Sequence, residues 1–269
     1  MNIGCCIPGG SFMPQGIGEV ASPAGIIGQG HEIVRSAGFD FAEVTCGLVA
    51  ALSESDMASL IADGVRFYAS NSFISLPIAS TPSRELGEYV RMITERLERF
   101  GVRRCVFGSG RARRIPENAE RAAGERVLRD FIDMCADAAS RRNMLFVLEP
   151  LNRGETNFMN TLSDGADILR TLDNPSAALL CDVYHMYKNG EGVGEIGQYA
   201  KYLRHVHISE GDRAVPGTSG GGYLEAVADQ LHAAGYTGGV SCECSYRDFP
   251  SDAPEICKFM KKTFVGRFL

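Results

Sequence analysis

No part of this sequence holds the roughly eighteen consecutive apolar residues that a membrane-crossing helix needs, so no membrane partner is expected. The opening residues, MNIGCCIPGG, lack a basic stretch followed by an apolar run, and the cytoplasm is the expected compartment. Excess basic charge is missing as well. Twenty-seven Lys and Arg against 33 Asp and Glu leave a formal charge of −6, which argues against nucleic acid as a partner, since gripping a phosphate backbone takes a dense basic surface. The nine cysteines include no C-x2-C pair or other recognised ligand spacing. Cys5, Cys46, Cys105, Cys181, Cys242 and Cys244 fall in apolar, strand-like runs, where a thiol behaves as a small buried hydrophobe, and reduced structural thiols are expected. Linkers and low-complexity tracts are absent, so residues 1–269 are expected to form one domain.

What is present is a repeat of strand and helix signals. Eight short runs rich in β-branched, aromatic and small apolar residues recur: NIGCCI, FAEVT, VRFYAS, RRCVFGSG, LFVLEP, ALLCDV, HVHISE and GVSCEC. Between them lie segments with helical apolar spacing, among them 84–100, 118–141 and 222–234. Gly38 and Gly101 stand where a helix-stopping glycine would precede the next strand. Alternating strands and helices imply parallel strands with right-handed crossovers. The length is close to the roughly 250 residues of an eight-unit barrel, and the polar residues favour closure: they stand at the ends of the last four strands, which meet at one mouth only if the sheet closes. A single (β/α)8 TIM barrel is the expected fold.

Those polar residues are Glu149 in LFVLEP, Asp182 in ALLCDV, His207 in HVHISE and Glu243 in GVSCEC, separated by 33, 25 and 36 residues, about one strand–helix unit each. Three carboxylates and one imidazole make an oxygen-rich set suited to one divalent ion, Mn²⁺ or Mg²⁺ by preference, with Co²⁺ or Zn²⁺ as alternatives. Moving a proton beside a ketone requires stabilisation of the developing enediolate, which such an ion supplies as a Lewis acid. Epimerisation needs two acid/bases on opposite faces of the carbon, and Glu149 and Glu243 are assigned those roles.

The stretches LEPLNRGET, DVYHM and HVHISEGDR resemble those of the xylose isomerase-like TIM-barrel sugar isomerase and epimerase superfamily, most nearly its ketose 3-epimerases of the tagatose and psicose type. The resemblance implies the same four metal ligands and a reaction through a cis-enediolate. It also implies that Glu155, His185 and Arg213 contact the substrate's O1 to O3 end. The expected partner is a small sugar, free or phosphorylated, and a homo-oligomer, dimer or tetramer, is left open. No tryptophan occurs anywhere, and the loop after the fourth strand is rich in arginine, so the apolar wall common in such epimerases is missing or built differently. Alternatives on the same ligands are an aldose–ketose isomerase, a keto-inositol dehydratase and a barrel that binds sugar without turnover. A DNA-repair nuclease on this barrel is disfavoured by the acidic charge and by only five histidines.

The remaining polar residues have plainer readings. His205 shares a strand face with His207 and is expected one layer deeper; His31 and His232 are expected to be structural residues in helices. Glu43, placed at the end of the second strand, is either near the site or a hydrogen-bonded structural carboxylate. Arg111, Arg113 and Arg114 are expected in a solvated or subunit-contact loop, with a sugar phosphate as the alternative. The run 216–222 is expected to be a loop.

Overall fold

The computed structural model describes residues 1–9 and 22–266. Eight parallel strands close into a barrel in sequence order: β1 (Asn2–Cys6), β2 (Phe41–Thr45), β3 (Ala69–Asn71), β4 (Arg104–Phe107), β5 (Leu145–Leu148), β6 (Ala177–Asp182), β7 (Leu203–Ile208) and β8 (Gly239–Cys242). The ring is shut by β1 pairing with β8, Asn2 beside Gly239 through Cys5 beside Cys242. Around it lie α1 (Pro23–Ala37), α2 (Cys46–Ala50), α3 (Glu54–Ala62), α4 (Ser83–Arg99) and α5 (Arg121–Ser140). They are followed by α6 (Leu162–Leu172), α7 (Val183–Asn189), α8 (Glu195–Tyr199), α9 (Gly222–Ala233) and α10 (Phe249–Met260).

Local chemistry sets the helix ends. The Ser22 hydroxyl accepts the Gly25 N–H at the start of α1, and Thr161 with Asp164 forms a reciprocal capping box at the start of α6. Gly38 ends α1 with φ of 88°, a conformation that glycine adopts without steric cost. The apolar stripe of α4 (Leu86, Val90, Ile93 and Leu97) is buried against the strands, and each such side chain contributes about 1.5–3 kcal/mol when fully buried.

One strand differs from its expected place. The run VRFYAS is expected to form the third strand, but β3 begins only at Ala69. The Val65 N–H bonds back to Leu60 O at the end of α3, and the Phe67 N–H bonds to Phe100 O, so both backbones are committed before the ladder starts.

Inside the barrel two chemistries face each other. Val106, Val147, Ala178 and Leu180 form a separate apolar cluster on the β4–β6 side. On the other side Glu43, His205, His207 and Ser241 are all buried. Near the bottom, Gly4 and Gly239 leave room for the Phe41 ring; a β-carbon on Gly4 would lie 2.0 Å from that ring. Between β6 and β7 the register shifts at Leu179 and Leu180: Leu179 faces Leu203 and Leu180 faces His205, leaving Arg204 outside the pairing. This bulge sets Asp182 directly beside His207.

Candidate metal centre

The strand ends bring Glu149, Asp182, His207 and Glu243 together, with one donor atom from each lying within 4.8 Å of the others. Asp182 is the last residue of β6, His207 the penultimate residue of β7, and Glu149 and Glu243 each follow the last residue of their strands. All four are at least 96% buried. The carboxylate of Asp182 divides its duties: Oδ1 caps α7 by accepting the Tyr184 N–H at 2.8 Å, and Oδ2 is left facing the cluster.

Whether a cation fits is answered by the atoms that lack partners. Glu149 Oε1, Asp182 Oδ2 and His207 Nδ1 are buried without a hydrogen bond, and each such atom costs about 1–3 kcal/mol. His207 Nδ1 lies 3.4 Å from Glu149 Oε1 and 3.5 Å from Glu243 Oε2. Donor atoms converging without mutual hydrogen bonds are what a shared positive charge would satisfy.

Protonation follows the same logic. Burial raises the Asp182 carboxyl well above its usual range, with Glu149 and Glu243 adding to the rise against Arg213. Burial, reinforced by Glu243, also raises Glu149. For Glu243, burial is outweighed by His207 and Arg213, so its carboxyl is held below the ordinary value. The His207 imidazole resists charge because it is buried, but Glu43 and Glu243 overcome this and hold it protonated to well above its usual pKa. In the ion-free protein the imidazolium therefore supplies the positive charge, and a cation would compete with the Nδ1 proton.

The residues expected on the substrate side surround this cluster. Arg213 Nη2 is 2.5 Å from Glu243 Oε2 and 4.0 Å from Asp182 Oδ2, while Nη1 is 3.9 Å from Glu155 Oε1. Its guanidinium lies 4.6 Å from the centre of the Tyr184 ring, an arrangement that favours a delocalised cation. His185 lies in α7, with Nε2 3.5 Å from Asp182 Oδ2. Its Nδ1 accepts the Asn152 backbone N–H at 3.1 Å, so the proton of the neutral ring sits on Nε2, toward the cluster. Burial, helped by Arg213, keeps that ring neutral by lowering its pKa well below the usual value.

Three contributors were not legible as such. Asn152, in the LEPLNRGET stretch, also donates from Nδ2 to Glu155 Oε1 at 2.9 Å, linking Glu155 and His185. Asn71, at the end of β3, donates to Glu243 Oε1 at 3.3 Å. Gly108 packs directly against Glu149. Glu43 stands at the centre of β2, not at its end, and is hydrogen-bonded to both His205 and His207. A carboxylate flanked by Ala42 and Val44 in the middle of a five-residue strand is the available signal.

The arginines after β4 separate. Arg111 and Arg114 are exposed, whereas Arg113 is wholly buried and donates from Nη1 to Phe107 O at 3.0 Å, with burial lowering its pKa to about 10. It is neither a solvated residue nor a free phosphate ligand. His31 and His232 lie in α1 and α9, and His205 is fully buried below His207. All nine cysteines are free and buried. No helix among the described residues is long and apolar enough to cross a membrane.

Comparison with known proteins places this geometry. The profile of the xylose isomerase-like TIM barrel family matches residues 32–263. A Mus musculus protein named "Putative hydroxypyruvate isomerase" is 30% identical over 141 residues, covering 49% of this chain and 51% of that protein. The D-psicose 3-epimerase of Ruminiclostridium cellulolyticum is 33% identical over 99 residues, covering 36% of this chain and 33% of that protein. The matched stretches thus span a third to a half of these curated relatives. Among solved structures, D-psicose 3-epimerase with D-tagatose from Clostridium cellulolyticum H10 superimposes with a TM-score of 0.80 at 20% identity, over 98% of this chain and 99% of that one. At that identity the likeness establishes the fold.

Proposed function

The chain belongs to the xylose isomerase-like TIM barrel family, and on that premise we propose that it is a divalent-metal-dependent ketose 3-epimerase acting on an uncharged sugar. The observation that carries this reading is the convergence of three buried donors without a hydrogen bond, Glu149 Oε1, Asp182 Oδ2 and His207 Nδ1, beside a carboxylate, Glu243, that is held ionised. Glu149, Asp182, His207 and Glu243 would hold Mn²⁺ or Mg²⁺, which would supply Lewis-acid stabilisation of the developing negative charge.

The chain's own groups do the rest. Glu243, poised by Arg213 and Asn71, takes the proton from C3, and Glu149, whose carboxyl is raised, returns one to the opposite face. The electrons of the broken C3–H bond form the C2–C3 double bond while the C2=O π pair moves onto O2 to give the enediolate, and both shifts reverse when C3 is reprotonated. The roles exchange for the reverse epimer. Neutral His185 donates from Nε2 to a substrate oxygen, and Arg213 and Glu155 orient its neighbours.

Charge supports a neutral substrate over a phosphorylated sugar or a keto acid such as hydroxypyruvate. With Glu149 holding the proton that it delivers, the ionised Asp182, Glu243, Glu155 and Glu43 against a dication and Arg213 leave one net negative charge. Arg113 is committed to backbone carbonyls.

The test is an NMR screen of uncharged ketoses, ketose phosphates and hydroxypyruvate in D₂O with Mg²⁺, and with Mn²⁺ or Co²⁺ removed before observation. Deuterium at C3 with appearance of the C3 epimer is expected for an uncharged ketose. Loss of water would point to a dehydratase, and turnover of hydroxypyruvate alone to an aldose–ketose isomerase. Saturable binding without exchange would point to a binding protein; each of these outcomes overturns the reading.

A further inference from the structure

We propose that Glu43 is the positioning residue for the imidazole of the metal centre, and that His205 is the brace that holds Glu43; this rests on the metal-dependent reading above. Glu43 is fully buried and has both oxygens engaged by the same kind of atom. Oε2 lies 2.7 Å from His205 Nε2, and Oε1 lies 3.0 Å from His207 Nε2. An ionised carboxylate only accepts, so both Nε2 atoms must carry hydrogen.

For His207 the consequence is directional. With Nε2 held as a donor, Nδ1 becomes the ligating nitrogen, and Nδ1 is the atom facing Glu149 and Glu243. A ring turned over about its Cβ–Cγ bond, or carrying its neutral-state proton on Nδ1, would lose this arrangement. Glu43, on β2, opposes both changes from 164 residues away in sequence.

His205 has no place in the proposed chemistry. It does not join the four-residue cluster, and its Nδ1 has no hydrogen-bond partner. Its ring packs tilted against Phe41 and Tyr68 and edge-on against His207, with centroids 6.1, 5.9 and 5.0 Å away. Burying a histidine with one polar contact is costly, and what the contact achieves here is to fix the second oxygen of Glu43. A carboxylate held at one oxygen swings; held at both, it presents Oε1 to His207 at a set angle. The register shift that leaves Arg204 outside the ladder is what turns both histidines inward to meet it.

The test uses the full chain, labelled with ¹⁵N-histidine, observed by long-range ¹H–¹⁵N correlation without metal and with Mg²⁺, together with Mn²⁺ titration by calorimetry. In the wild type, Nε2 of both rings should stay protonated throughout, and on adding Mg²⁺ the large shift should fall on Nδ1 of His207, with only the small change at its Nε2 that loss of the ring's charge brings. In Glu43→Gln the amide accepts from one ring but must donate to the other, so one ring should bare its Nε2, and Mn²⁺ affinity should fall about 10–100-fold. His205→Gln, which keeps a donor toward Glu43, should bind Mn²⁺ within about threefold of wild type, and His205→Phe about tenfold or more weaker.

A His207 that loses its Nε2 proton, or whose larger response to Mg²⁺ falls on Nε2, overturns the proposal, as does a folded Glu43→Gln with wild-type affinity. If Glu43→Gln does not fold, the wild-type spectrum and the two His205 variants decide. Absence of Mg²⁺ and Mn²⁺ binding in the wild type also overturns it. Failure of ketose exchange alongside the expected spectra and affinities would count against the epimerase reading alone.

Discussion

Gly108 touches Glu149 so closely that a β-carbon at position 108 would lie 1.8 Å from Oε2. The glycine is there for space, since the carboxylate leans over the backbone just beyond β4. Gly108→Ala should therefore push Glu149 out of the cluster. Overpacking of this kind costs about 1–3 kcal/mol, which corresponds to about 5–150-fold weaker divalent-ion binding. Calorimetric titration with Mn²⁺ measures this directly, and an unchanged affinity would show that Glu149 does not hold the ion.

Occupancy of the centre should be visible in stability. An ion at about a hundred times its Kd contributes about 2.7 kcal/mol, which for a chain of this size means a rise in Tm of about 5–10 °C. Melting curves in EDTA and in saturating Mn²⁺, Mg²⁺ or Co²⁺ are the measurement. Coincident curves for all three ions would sink the assignment.

Glu243→Gln should nearly abolish hydrogen exchange at C3, by about 10²–10⁴-fold, because the amide cannot take a proton. Since Glu243 is also a proposed ligand, the comparison belongs at metal concentrations shown to saturate the variant. Exchange within a few-fold of wild type under those conditions would refute the base assignment.

Arg213 spans two carboxylates with one planar fork, Nη2 to Glu243 and Nη1 toward Glu155, while stacking on Tyr184. Lysine offers one charged point and no plane. Arg213→Lys should lower kcat/KM by about 10–100-fold, the equivalent of one charge-assisted hydrogen bond. Wild-type steady-state kinetics in this variant would show that the fork is dispensable.

All nine thiols are buried and none is in a disulfide. A thiol reagent such as dithiobisnitrobenzoate should label almost none of them in the native protein and all nine in guanidinium. Rapid labelling of two or more without denaturant would contradict this packing.

The sequence made the barrel and its four strand-end donors legible because both are periodic: one apolar run and one polar terminus per strand–helix unit. What it hid was contact across the barrel. The pairing of Glu43 with His205 and His207 joins strands 162 and 164 residues apart, and no local spacing encodes that distance. Arg113 looked like its neighbours Arg111 and Arg114, yet its side chain turns inward to two carbonyls, Phe107 O and Met159 O, a choice made by the loop's path and not by composition. The late start of β3 has a similar cause, because the apolar residues Val65 and Phe67 are buried without being in a strand. Asn152 was in view within LEPLNRGET, but its importance depends on where His185 lands after α7 forms.

The strand that shuts the ring against β1 is also the one that delivers Glu243, immediately after Cys242. During translation, Glu149, Asp182 and His207 leave the ribosome ahead of Glu243, the last of the proposed ligands. A chain released early would offer three loosely held groups, from which a dication departs quickly. Ion retention would then mark those molecules whose final stave has been seated.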